Sequence, residues 1–87
     1  MKGCRVHPDE KGNLPLREGD YGKDSRGEWT VRPPGSHAGG IPDHEVVEHE
    51  DGTITVTPSI ILMDFDEKGR EQVVWHGYLE GGVWRQV

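Results

Sequence analysis

One cysteine, five histidines and a serine behind a proline are the residues of this chain with the types to do chemistry. Cys4-x-x-His7 has the interval of a zinc-ligand pair, and His37, His44, His49 and His76 are the imidazoles that could complete a tetrahedral set. One pair supplies only half of such a set, so the sequence predicts no metal site. Ser59 with His44 or His76 as base has the ingredients of a nucleophile, yet it lacks the G-x-S-x-G elbow and no helix follows it. Its simpler role is to hydrogen-bond backbone that Pro58 leaves unpaired. His49 reads as a strand-end residue bonding an edge carbonyl, and His76 as a ring packed on Trp75 or Trp84. Carboxylates are plentiful, but they lie in polar runs where nothing raises a pKa toward that of a general acid. The expectation is a protein that is not an enzyme and carries no cofactor.

Aromatic residues offer a binding chemistry instead. Trp75, Tyr78 and Trp84 fall within ten residues, with Trp29 upstream. They can form most of a core that has few Leu, Ile and Phe, or they can form a stacking platform for a flat ligand such as a nucleobase. In the second case Arg32, Arg85 and His76 stand at its polar edge. The Gly/Pro stretch 33–42 closes over it, with His37, Gly39 and Gly40 bringing backbone N–H groups toward a phosphate or carboxylate. A separate acidic cluster, Glu45, Glu48, Glu50 and Asp51, offers a surface for a basic protein partner.

Positioning these groups falls to β-structure, because no window shows a 3.6-residue apolar period. HEVVEHEDGTITVTP (44–58) reads as a hairpin turning at Asp51-Gly52. A two-residue loop pairs Glu50 with Thr53, His49 with Ile54, Glu48 with Thr55 and Val47 with Val56. One face then carries Val47, Ile54, Val56 and His49. A strand over 28–32 precedes a surface loop at 33–42. Pro58-Ser59 ends the second hairpin strand, and 60–65 resumes as another, its continuous apolarity suggesting burial on both faces or cover from a second copy. A turn at Glu67-Lys68-Gly69 leads into 72–79, and Glu80-Gly81-Gly82 returns the chain through 83–87. The fold class expected is all-β with little or no helix: a small antiparallel meander of about five strands, curled into a half-barrel or small sandwich. Residues 1–27 read as an irregular, turn-rich segment ahead of an antiparallel β domain at 28–87.

Composition bounds the partners. Only 31% of the 87 residues are hydrophobic, so the core is thin, and one cysteine supplies no internal disulfide. Self-association, as a homodimer or higher oligomer, is the reinforcement expected. A formal net charge of −6 argues against direct binding to nucleic acid. No run is apolar and long enough for a signal peptide or a membrane span, which points to the cytoplasm.

Two segments, EHEDGTITVTPSI (48–60) and WHGYLEGGVW (75–84), together resemble a family of short, uncharacterised bacteriophage and prophage proteins, a domain of unknown function. The resemblance covers roughly residues 28–87. A related branch carries a cysteine cluster that this sequence lacks, so no metal site is implied. What the resemblance implies is phage origin and a small accessory role in the host cell, with no catalytic residue transferred. The leading expectation is a protein that sequesters a small, nucleotide-derived ligand and so antagonises a host defence or other process. Its alternatives are an acidic inhibitor of a basic host protein and a virion accessory protein.

Overall fold

A computed structural model describes residues 1–87 as an all-β molecule of eight strands without helix. Strands β1 (Cys4–Arg5), β2 (Asp20–Lys23), β3 (Trp29–Val31) and β4 (Gly39–Gly40) form one sheet in that order. Strands β5 (Glu45–Glu48), β6 (Ile54–Phe65), β7 (Glu71–Glu80) and β8 (Val83–Gln86) form the other, an antiparallel meander. The fold class is the one expected, with eight strands rather than about five and one parallel pairing, β1 with β2. Two of the additional strands lie before residue 28. There Tyr21 and Gly22 are buried, and β2 pairs with β3 across the turn at 24–28.

The sheets share one core. Tyr21, Val31 and Ile41 come from the first half of the chain, and Ile54, Val56, Ile60, Leu62, Trp75, Leu79 and Trp84 from the second. Residues 1–3 stitch the layers together. The Gly3 N–H donates to the Gly82 carbonyl at 2.7 Å and the Trp84 N–H to the Met1 carbonyl at 2.7 Å, after which the chain crosses to β2. The result is an open, partly wrapped pair of sheets, and the barrel does not close.

Three turns repeat one device. Asp9, Asp24 and Asp66 each stand three residues before a glycine of positive φ, and each carboxylate accepts backbone N–H groups two and four residues on, all at 2.9 Å. The 49–53 turn has the same backbone, with the Gly52 N–H donating to the His49 carbonyl and the His49 N–H to the Thr53 carbonyl. It is therefore a three-residue loop, Glu50-Asp51-Gly52, in which glycine in the left-handed region makes a bulge. That extra residue shifts the expected register by one, so Val46 faces Val56, Val47 faces Thr55 and Glu48 faces Ile54. Val46, not Val47, packs toward the core, and His49 bonds Thr55 Oγ1 at 2.7 Å away from it.

Two further expectations change, and a turn left open at Glu80-Gly81-Gly82 is settled. Pro58-Ser59 does not end a strand, because β6 runs on through it with a register shift against β7 between Val56 and Ile60. The loop expected at 33–42 is shortened, since Gly39 and Gly40 pair with Val31 and Thr30. In the last hairpin the two-residue turn is Gly81-Gly82, both at positive φ, which places Leu79 opposite Trp84 and Tyr78 opposite Arg85.

Candidate functional site

Trp75 and Trp84 lie on the inward side of β7 and β8 and are 3% and 4% exposed, with their rings 5.3 Å apart and nearly perpendicular. That is edge-to-face core packing rather than an open stacking surface. The indole N–H of Trp84 donates to the Gly19 carbonyl at 2.8 Å, and Trp75 lies over Gly77, where any side chain would collide with it. Strand alternation sends Tyr78 and Arg85 to the opposite face of the same sheet. There the Arg85 guanidinium stacks over the Tyr78 ring at 4.5 Å and bonds Glu80 at 2.7 Å.

The remaining residues of the proposed ligand edge are dispersed. Arg32 donates to the carbonyls of Ser36 and Leu16, bracing its own loop. His37 is exposed and bonds the neighbouring Ala38 carbonyl. Gly39 lies beneath Leu62, and Gly40 is exposed. A recess of about 190 Å³ does join Trp75 and Trp84 to Pro34, Met1 and Gln86. Small-molecule sites commonly span roughly 300–1,000 Å³.

His76 Nε2 lies 3.1 Å from Ser59 Oγ, and His44 Nε2 lies 3.0 Å from the Ser59 carbonyl. Both imidazoles thus serve the stretch where β6 loses regular pairing. Cys4 and His7 are exposed, and no three of His, Cys, Asp and Glu gather as ligands for a metal.

The acidic hairpin is partly spent within the molecule. Glu48 points inward at the open end of the sandwich, where it accepts from Arg5 Nη2 at 2.9 Å and lies 3.6 Å from Lys23. Both cations also sit over the Trp29 ring, at 5.0 and 5.3 Å, so the four side chains clasp the two sheets. The Arg5 hydrogen bond holds the Glu48 carboxyl below its ordinary pKa. Asp51 accepts the Thr53 hydroxyl at 2.6 Å and the Thr53 N–H at 3.0 Å, and these bonds lower its pKa too. Glu45 and Glu50 are left as the outward-reaching acids of the cluster.

Sequence reasoning raised a face of 60–65 covered by a second copy, but did not assemble the outer face of the second sheet. Eight large hydrophobic residues are exposed, and seven of them, Val47, Ile61, Met63, Phe65, Val73, Val83 and Val87, project from this one face. The pairings set Met63 directly opposite Val73, with Ile61 and Phe65 flanking Met63 on the same strand face. The strands add Glu45, Glu71, Glu80 and Arg85 to the face, the last two neutralising each other, and Lys2 joins them at the edge opposite Val83. Alternate positions 61, 63 and 65 carried the signal, but the unbroken apolar run at 60–63 obscured it. No family model, no curated protein and no solved structure matches this chain.

Proposed function

We propose that this is a small non-enzymatic binding protein of phage type that engages a macromolecular partner through the outer face of its second sheet. One observation carries the reading: seven of the eight exposed large hydrophobic residues share that face. Exposed apolar surface concentrated this way marks an interaction site, whereas scattered single residues would not. The phage context comes from the resemblance of segments 48–60 and 75–84. An acidic-surface inhibitor would have to rely on Glu45 and Glu50, since Glu48 and Asp51 already have partners inside the molecule. Sequestration of a small ligand by the tryptophans would have to use the recess at Trp75, Trp84 and Pro34.

Photo-cross-linking in the producing cell separates these readings. The photoreactive amino acid p-benzoylphenylalanine is placed at Phe65, on the apolar face, or at Glu50, on the acidic hairpin. Protein adducts from Phe65 and none from Glu50 are expected. Adducts from Glu50 alone would replace this reading with the acidic-surface one. No adduct from either position, with a small molecule retained in native mass spectrometry, would replace it with sequestration.

A further inference from the structure

Resting on that reading of the outer face, we infer that its occupant is a second copy of this chain, stacked sheet against sheet across a two-fold axis. Area is the first argument. The seven apolar side chains are 45–72% exposed, which corresponds to roughly 700 Å² per copy and about 1,400 Å² in a two-fold contact, within the roughly 1,200–2,000 Å² of stable interfaces. A thin core is the second. Only 16 of 87 residues are buried in the single chain, and stacking two such faces builds a second apolar layer of the kind that holds β-sandwiches together.

The geometry favours the face over the sheet edge. β5 covers β6 only as far as Thr57, so the rest of that edge lacks a neighbouring strand. Both ends of the uncovered stretch are nevertheless blunted. His44 Nε2 holds the Ser59 carbonyl at 3.0 Å, and the Asp64 carboxylate accepts the Phe65 N–H at 2.8 Å. Occupied edge groups of this kind discourage strand addition. Nothing comparable protects the middle of the face: Met63 and Val73 stand side by side at 45% and 56% exposure, and the one lysine on this side, Lys2, lies at the far edge opposite Val83.

Sedimentation equilibrium of the full chain between about 1 and 500 µM tests the inference. A reversible monomer–dimer equilibrium is expected for the wild type. Met63→Lys and Val73→Lys should each weaken dimerisation at least 100-fold, and Glu50→Lys should leave it within about threefold. Far-ultraviolet circular dichroism confirms that each variant is folded. A wild type that stays monomeric throughout overturns the self-association, while adducts to other proteins from the Phe65 probe would leave the broader binding reading standing. If Val73→Lys remains dimeric and the amides of Ile61, Met63 and Phe65 gain hydrogen-exchange protection on dimerisation, the contact is edge pairing and face stacking is wrong.

Discussion

Gly77→Ala asks whether Trp75 is a core side chain or part of an accessible platform. Gly77 is buried in β7, and its φ lies outside the left-handed region, so any cost of adding a methyl group is one of space. A Cβ there would approach the Arg85 carbonyl oxygen, sit 2.5 Å from the Trp75 ring and lie 2.9 Å from the Gln86 Cα. Carbon atoms pack best near 3.5–4.0 Å, so the indole must retreat by about 1 Å while β8 moves as well. Two of the three obstacles are backbone, and the third is an indole already wedged edge-to-face against Trp84. Overpacking of this severity costs about 3 kcal/mol, and alanine's smaller unfolded-state entropy in a strand returns roughly 0.5–1. A net loss of 2–2.5 kcal/mol lowers Tm by roughly 8–20 °C in a domain of this size. Thermal unfolding followed by tryptophan fluorescence provides the measurement. Gly27→Ala is the comparison, because Gly27 has φ +83° with open space around it and should lose only about 1 kcal/mol. A Gly77→Ala protein melting within about 3 °C of wild type would refute the packing argument and reopen the platform.

Trp84→Phe should destabilise by about 2–4 kcal/mol in chemical denaturation, since it leaves the buried Gly19 carbonyl without its donor and removes part of the ring contact with Trp75. Asp66→Ala should cost about 1–2 kcal/mol by freeing the Lys68 and Arg70 N–H groups, whereas Asp66→Asn should avoid most of that loss because the amide oxygen still accepts. Glu48→Gln should lower Tm at pH 7 and leave it unchanged in strong acid. The native Glu48 pKa is depressed, so its contribution is present above the unfolded carboxyl value and disappears as pH falls through the native one. A Glu48→Gln deficit that persists unchanged at pH 2 would show that charge is not what holds the clasp.

The all-β class was legible because glycine turns punctuate β-branched runs throughout, as at Asp51-Gly52 and Gly81-Gly82. Register was less so, for a definite reason. Val46 and Val47 are identical neighbours, so alternation cannot tell which faces inward, and the choice falls to a loop whose length depends on one bulge residue. The early strands escaped because β2 carries its burial on a single Tyr21 between polar residues and Gly22, too short a pattern for periodicity. Their turns did leave a mark, Asp three residues before Gly at 9, 24 and 66, which becomes informative once the repeated hydrogen bonding is known. Of the candidate sites, the aromatic cluster was correctly sensed as dense, but density alone does not distinguish a platform from a core. Alternation alone puts Trp84 and Arg85 on opposite faces, but which of them joins Leu79 in the core follows only when the turn is fixed at Gly81-Gly82.

The stitch made by residues 1–3 has a kinetic consequence. Lys2 bridges to Val83, and Gly3 bonds to Gly82, so the pairing that joins the two sheets links nearly the most distant positions of the chain. Closing a loop of that span comes at a high entropic cost before any contact repays it, and chains dominated by such contacts fold slowly. On the ribosome the opening residues wait, unpaired, until the β7–β8 hairpin has left the exit tunnel. The local hairpins β2–β3 and β6–β7 can form meanwhile, but the groove that receives the Trp84 indole stays unfinished until synthesis has passed it.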